Sequence, residues 1–320
     1  MGITGRIGIF LVLSFSILLN MTLTRTGSMT SAEIPTAGNA ATSISASRSG
    51  KPLRVTDDLQ LPCPESAWPG SRYAGHVKAT TVYYSERDLD LFDGTGSIRK
   101  RILVIPRGAH LLSRQQSQGW IQVAYAGMEG WVKESLVESS VVDMVDGIII
   151  ANKGFDLPKD FSPGRNPDAY ASFLRMKQDA AKLGIILKLS TTYRSYSAQQ
   201  HIYRTFENRV GTKRADNYSA RAGYSEHQTG LAFDIGGADP DFRLKQALGT
   251  MKEGIWMAEN APSYGFILRY PKGRENMTGY MYEPWHFRYV GTEAALRITA
   301  SGLSLDEYLG VIAPEYAPTP

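Results

Sequence analysis

Apolar and polar positions change rhythm several times along this chain. From Ile7 to Leu19 apolar residues run almost unbroken behind one early basic residue, Arg6. Residues 26–70 are rich in Ser, Thr, Ala, Gly and Pro and show little periodicity, which reads as a tether or spacer. From about Tyr73 short alternating runs begin: VKATTVYY, RILVIP, WIQVAYAG and GWVKESLV, separated by Gly, Asp and Ser. Ile121, Val123 and Tyr125 alternate with Gln122 and Ala124, the two-residue period of a half-buried strand. Several such strands over residues 73–138 predict a small antiparallel barrel. Its Trp120 and Trp131 are candidates for core packing or for a binding platform.

The segment ANKGFDLPKDFSPGRNPDA, polar and punctuated by Gly and Pro, leads into a larger domain. Across 168–184, Phe173, Leu174, Met176, Ala180, Ala181 and Leu183 give a helical pattern with Gly184 as its stop. Ile185 to Leu189 reads as a strand. Further helices are expected from about Ala198 to Val210 and near Phe242 to Asn260, with strands at 266–270 and 286–290. Short strands mixed with helices, without a regular crossover rhythm, predict an α+β fold with a mixed sheet.

Composition narrows the classes. The 320 residues are 42% hydrophobic and 21% charged, ordinary for a globular chain. The net charge of +4 comes from the first 56 residues, where Arg6, Arg25, Arg48, Lys51 and Arg54 face only Glu33. The remainder is near neutral, which removes the compositional case for nucleic acid. The early apolar run has the layout of a secretory signal and is short for a bilayer-spanning helix. A cut after Ala32 and an uncleaved membrane anchor extending through Met21 and Leu23 both stay open. The only cysteine, Cys63, excludes an intrachain disulfide. The expected organisation is therefore a signal peptide or anchor over 1–32, a flexible linker over 33–72, the small barrel over 73–138, a lead-in over 139–167, the larger domain over 168–310 and a tail over 311–320.

The candidate chemistry lies in SEHQTGLAFD (225–234) and EPWH (283–286). His76 and His110 sit in the strand-rich region with no ligand cluster nearby, and His201 lies on a predicted helix, so these three read as surface or core residues. His227 and His286 stand instead in dense polar and aromatic settings at strand edges. His227 and Asp234 are seven residues apart, which a straight strand would place on opposite faces. Gln228-Thr229-Gly230 must therefore turn or bulge, with Gly230 permitting the backbone geometry. Phe233 and Ile235 would then face away from the site. Two imidazoles and a carboxylate suit zinc and leave a position for water. Glu283, three residues before His286, is the candidate base. A merely structural His227–Asp234 pair is the alternative on spacing alone.

With these residues in view, the sequence resembles the VanY-like D-alanyl-D-alanine carboxypeptidases, related to the zinc D,D-dipeptidases and the hedgehog peptidase-like domain. The resemblance spans roughly residues 148–300 and rests on TTYRSYSAQQ, GYSEHQTGLAFDIG, YGFILRYP and YEPWHFRYVG. The pattern Ser-x-His-x-x-Gly-x-x-x-Asp is met by Ser225, His227, Gly230 and Asp234. The resemblance implies one catalytic Zn2+ held by His227, Asp234 and His286, with Glu283 as base. It also implies Arg194 near the substrate carbonyl or carboxylate, and Gln199, Ser225 and Trp285 as substrate-binding residues, with Tyr193 and Tyr224 as lesser pocket candidates. GWIQVAYAGMEGWVKESLV resembles the C-terminal half of bacterial SH3-like domains, while SERDLDLFDGTG departs from their usual N-terminal half.

The implied activity is removal of the terminal D-alanine from peptidoglycan stem pentapeptides by an exported protein, with cell-wall association through residues 73–138. The alternatives are an L,D-carboxypeptidase on tetrapeptides, a cross-link endopeptidase, or a non-catalytic wall-binding protein.

Overall fold

Residues 76–316 are described by the computed structural model, and all of them fall within one compact unit, Pro52–Pro320. The expected signal or anchor, the whole linker, Cys63 and the last four residues of the expected tail lie outside the described residues. Among the described residues, no helix is long and apolar enough to cross a membrane.

The strand-rich region contributes Lys78–Tyr84 (β1), Leu89–Phe92 (β2), Arg101–Ile105 (β3), Leu111–Ser117 (β4), Trp120–Tyr125 (β5), Met128–Lys133 (β6), Glu138–Val145 (β7) and Ile148–Ile149 (β8). They form a sheet ordered β3-β2-β6-β5-β4-β1-β7-β8. The expected SH3-like barrel is therefore wrong: β3 and β8 are the two edges of an open sheet and do not pair. The cause lies in β1. All seven of its residues pair with β7, and only Val82 and Tyr83 pair with β4. Tyr83 faces a core with Leu91, Ile105 and Ile121, whereas Val82 and Tyr84 face Leu157 and Phe161 beyond the sheet. The following chain thus covers a second face of the sheet that a closed barrel would leave outside, and at the β8 edge the Ile149 carbonyl accepts from Arg288. Trp120 is buried edge-on to Phe92, and Trp131 is half-buried.

The larger part runs through helix α1 (Pro167–Lys182), β9 (Lys188–Thr191), α2 (Tyr196–Val210), α3 (Thr212–Tyr218), β10 (Ala232–Gly236), α4 (Lys252–Asn260), β11 (Phe266–Leu268), α5 (Glu275–Thr278), β12 (His286–Tyr289), α6 (Thr292–Ser301) and α7 (Leu305–Leu309). Asn166 caps α1 by accepting from the N–H groups of Asp168 and Ala169, with Pro167 opening the first turn. One face of α1 buries Ala169, Phe173, Met176 and Ala180. The predicted strand at Ile185 starts later, because the Ile185 N–H still donates to the Ala180 carbonyl and finishes the helix end. The helix expected from Phe242 shortens to α4, because Met251 is extended (φ −83°, ψ 155°) and the chain before it makes two 3-10 turns.

Strands β11-β12-β10-β9 form a four-stranded sheet in which every observed pairing is antiparallel. Phe233, Ile235, Phe266 and Phe287 bury one face against α1 and α4 residues. Each such side chain contributes about 1.5–3 kcal/mol relative to exposure. The opposite face is left for the chemistry.

The two sheets share structure. A core joins Val145, Ile148 and Ile150 to Ile267, Ala295, Ile298 and Leu309. The β3–β4 turn touches the chain before α1, where a Cβ on Gly108 (φ +80°) would lie 2.6 Å from the Arg165 carbonyl oxygen. His110, beside Phe161, has its Nε2 sealed from solvent, and burial first, then Arg288, lowers its pKa to about 4. The unfolded chain, with an ordinary value of 6.5, binds more protons between these pH values. The stability due to neutral His110 is thus complete above pH 6.5 and lost as pH falls towards 4, by about 3 kcal/mol. Urea titrations across this range should show that loss in wild type and a flatter profile in His110→Gln.

Candidate metal centre

Asp234 on β10 and His286 on β12 are directly opposed partners in the antiparallel ladder. His227 comes from the 3-10 turn Glu226–Thr229 that precedes β10. Gly230 closes that turn in the left-handed region (φ 71°), as the seven-residue spacing required. A Cβ there would also lie 2.0 Å from the Gly164 carbonyl oxygen. Phe233 and Ile235 point into the core, leaving Asp234 on the opposite face.

All three side chains are buried, and one ligand atom from each lies within 4.8 Å of the others. His227 Nε2 is 3.3 Å from Asp234 Oδ2, and His286 Nδ1 is 3.3 Å from Asp234 Oδ1. The His227 Nδ1–H donates to the Thr192 carbonyl at 2.6 Å. A carbonyl only accepts, so neutral His227 aims its Nε2 lone pair at a carboxylate oxygen. That contact is repulsive unless a cation stands between the two. Asp234 Oδ1, also buried, makes no hydrogen bond among the described residues. This donor set fits zinc, with two nitrogens and one carboxylate and room for a further ligand.

Burial raises the Asp234 carboxyl, but His227 and His286 outweigh it and hold the group well below the usual range. Burial lowers His227. It acts likewise on His286, where contacts with Asp234 and Glu226 win and bring the pKa to about 9. Glu283 sits at the edge of the cluster, its Oε2 3.7 Å from His286 Nδ1, and burial pushes it up to about 8. A divalent cation alongside would draw that value down again.

Arg194 reaches the same carboxylate, Nη2 to Asp234 Oδ2 at 3.8 Å. Its Nη1 donates to Gln199 Oε1 at 2.6 Å, and Gln199 Nε2 donates to the Ala220 carbonyl and Ser219 Oγ. Gln199 is fully buried, and its amide is committed to holding Arg194. Ser225 is buried at the start of the His227 turn, and Trp285 packs in the core behind β10. Tyr193 bonds Ser162, while Tyr224 meets Tyr316 edge-on. His201 is exposed on α2 and is not part of the ligand cluster.

Sequence reasoning passed over the groups behind the ligands. Glu226 Oε1 accepts from Arg269 Nε at 2.7 Å and Arg288 Nη1 at 2.8 Å, all three being fully buried. Arg269 also pairs with Asp306, and Arg288 donates to the Ile149 carbonyl. The available signal was a lone arginine inside each apolar strand, FILRY and HFRY, with an acid beside His227 to answer them.

The family described as VanY, D-alanyl-D-alanine carboxypeptidase, matches residues 165–292. The bifunctional D-Ala-D-Ala dipeptidase and D-Ala-D-Ala carboxypeptidase VanXYC of Enterococcus gallinarum is 35% identical over 130 residues, covering 40% of this chain and 68% of that protein. The chain belongs to the VanY family. A putative carboxypeptidase, YodJ, of Bacillus subtilis is 39% identical over 180 residues, covering 50% of this chain and 66% of its own length. A D-alanyl-D-alanine carboxypeptidase of Enterococcus faecium is 32% identical over 185 residues, covering 58% and 56%. The chain thus spans less than two thirds of the length of these last two relatives. The solved structure of the LdcB LD-carboxypeptidase is similar with a TM-score of 0.48 and 39% identity, over 63% of this chain and 97% of that one.

Because Gly230 is required by both its φ and its contact with Gly164, Gly230→Ala should cost about 1–3 kcal/mol in chemical unfolding. It should also weaken zinc binding, read by chelator competition, because the turn that carries His227 must move.

Proposed function

We propose that this chain is an exported zinc carboxypeptidase that releases the C-terminal D-alanine of peptidoglycan stem peptides. The observation that carries the reading is the buried His227–Asp234–His286 cluster with the Glu283 carboxyl beside it, in a chain of the VanY family. Support for export comes from the apolar run Ile7–Leu19 and from the extracytoplasmic place of such a substrate.

His227, Asp234 and His286 would hold the zinc. When bound, zinc polarises the scissile carbonyl and lowers the pKa of water towards neutrality. Glu283 accepts a proton from the attacking water as the new C–O bond forms. It then delivers that proton to the amine nitrogen as the peptide C–N bond breaks, so the released D-alanine leaves as a neutral amine. A carboxylate shielded from solvent holds that proton close to the reacting atoms instead of losing it to bulk water. Arg194, braced by Gln199, presents its guanidinium on the same side as the cluster and is suited to the substrate's terminal carboxylate or to charge developing on the carbonyl oxygen. Ser225 and Trp285 would shape the pocket through the turn and strand that carry the ligands.

The same steps break the D-alanyl-D-alanine bond of a pentapeptide stem and the bond before the final D-alanine of a tetrapeptide. Purified full chain should release one D-alanine from one or both, detected by mass. Glu283→Gln should keep its zinc and its fold while turnover drops about 100- to 10,000-fold. Zinc-loaded wild type that cleaves neither stem would overturn the reading.

A further inference from the structure

An imidazole that binds a cation through one nitrogen must carry its proton on the other, and a group that accepts a hydrogen bond from that N–H fixes which nitrogen is free. For His227 that group is the Thr192 carbonyl. His286 points Nδ1 towards Asp234 and Glu283 and turns Nε2 away from them, into the protein. There Nε2 faces Glu226 Oε2 at 3.5 Å. Both atoms are sealed from solvent, and neither makes a hydrogen bond among the described residues.

We propose that Glu226 is a positioning residue of the metal centre: it accepts a hydrogen bond from the Nε2–H of His286, keeps the proton on that nitrogen and so presents the Nδ1 lone pair to the metal. The inference rests on the metal reading above.

Three observations converge on it. Glu226 has two oxygens with separate duties, since Oε1 alone accepts from both Arg269 and Arg288 and leaves Oε2 for His286. A carboxylate serving only as counter-ion to two arginines would have no reason to aim its free oxygen at a ligand ring. Glu226 is also fixed along the chain, because it begins the turn that carries His227. One residue thereby connects both imidazoles. Finally, the His286 ring is held from the side by Tyr270, whose centroid lies 4.9 Å away, so the ring meets Glu226 in a set orientation. An ionised acceptor behind a ligand imidazole makes the ring a stronger donor than a neutral carbonyl does. The two histidines would then differ in basicity, His286 being the stronger.

The test uses the full chain, stripped of metal and reloaded with zinc. In wild type, long-range ¹H–¹⁵N correlations of labelled histidine should show His286 protonated at Nε2 and metal-bound at Nδ1. Glu226→Gln should weaken zinc binding about 10- to 100-fold in competition with a chromophoric chelator. It should also shift the visible spectrum of the cobalt-substituted protein. Asp306→Asn serves as the control, since it cuts the same charge network on the far side of Arg269. It should lower unfolding stability and leave zinc affinity little changed.

Wild-type affinity in Glu226→Gln, or equal weakening in Asp306→Asn, would overturn the proposal. If Glu226→Gln does not fold, the wild-type spectra decide, and a proton on Nδ1 with the metal on Nε2 would overturn it. Wild type that binds no zinc at all would instead overturn the metal reading, a distinguishable failure.

Discussion

Lone pairs aimed at one point repel each other. His227 Nε2 and Asp234 Oδ2 meet in this way in the interior, where there is little water to weaken that repulsion, with Asp234 Oδ1 and His286 Nδ1 beside them. A chain free to relax would turn the His227 ring outward. Here the backbone forbids it: Asp234 and His286 are locked as ladder partners, and the 3-10 turn ending at Gly230 pins His227. The apolar face of the same sheet supplies the restoring force through Phe233, Ile235 and Phe287. The geometry of the metal ligands and the packing of the core are thus two faces of the same two strands.

Behind the ligands lies a second set of charges, Glu226, Arg269, Arg288 and Asp306, with solvent exposure between 0% and 2%. Desolvating four such groups costs several kcal/mol each, and their attractions return that only when the geometry is good. Short bonds of 2.6–2.8 Å meet the condition. The network is therefore weak evidence for stability and better evidence for specificity of arrangement. It joins the His227 turn, β11, β12, α7 and the end of β8 through side chains that have no equally good alternative partner.

Much of the site was legible because its residues lie within two short segments. The need for a turn between His227 and Asp234 followed from strand period alone, and the α1 face followed from helical period. Glu226 was hidden by its own neighbour, since an acid beside a histidine is unremarkable until its burial is known. The open sheet was hidden for a different reason. Alternation along VKATTVYY reports that a strand has two faces, not what will cover them, and over Val82–Tyr84 both faces of β1 are buried by different partners. Local periodicity specifies strands, whereas closure depends on contacts that are remote in sequence. The late starts of β9 and α4 were decided by a single backbone bond and one extended residue, below the resolution of any periodic pattern.

The eight-stranded sheet is consequently part of the support for the chemistry. Arg288 carries one nitrogen to Glu226 and another to the Ile149 carbonyl at the sheet's edge, so β8 helps to set the position of a group that touches His286. Tyr125 on β5 donates to Asp168 in the first turn of α1, and Gly108 lies against Arg165 just before it. A chain cut near residue 140 would leave β7 without β1 and remove Val82 and Tyr84 from beside Leu157 and Phe161. The Phe161 carbonyl accepts from the buried amide of Gln228, the residue next to His227. Loss of the sheet would therefore reach the metal ligands through two separate routes, one along Arg288 and one along Gln228.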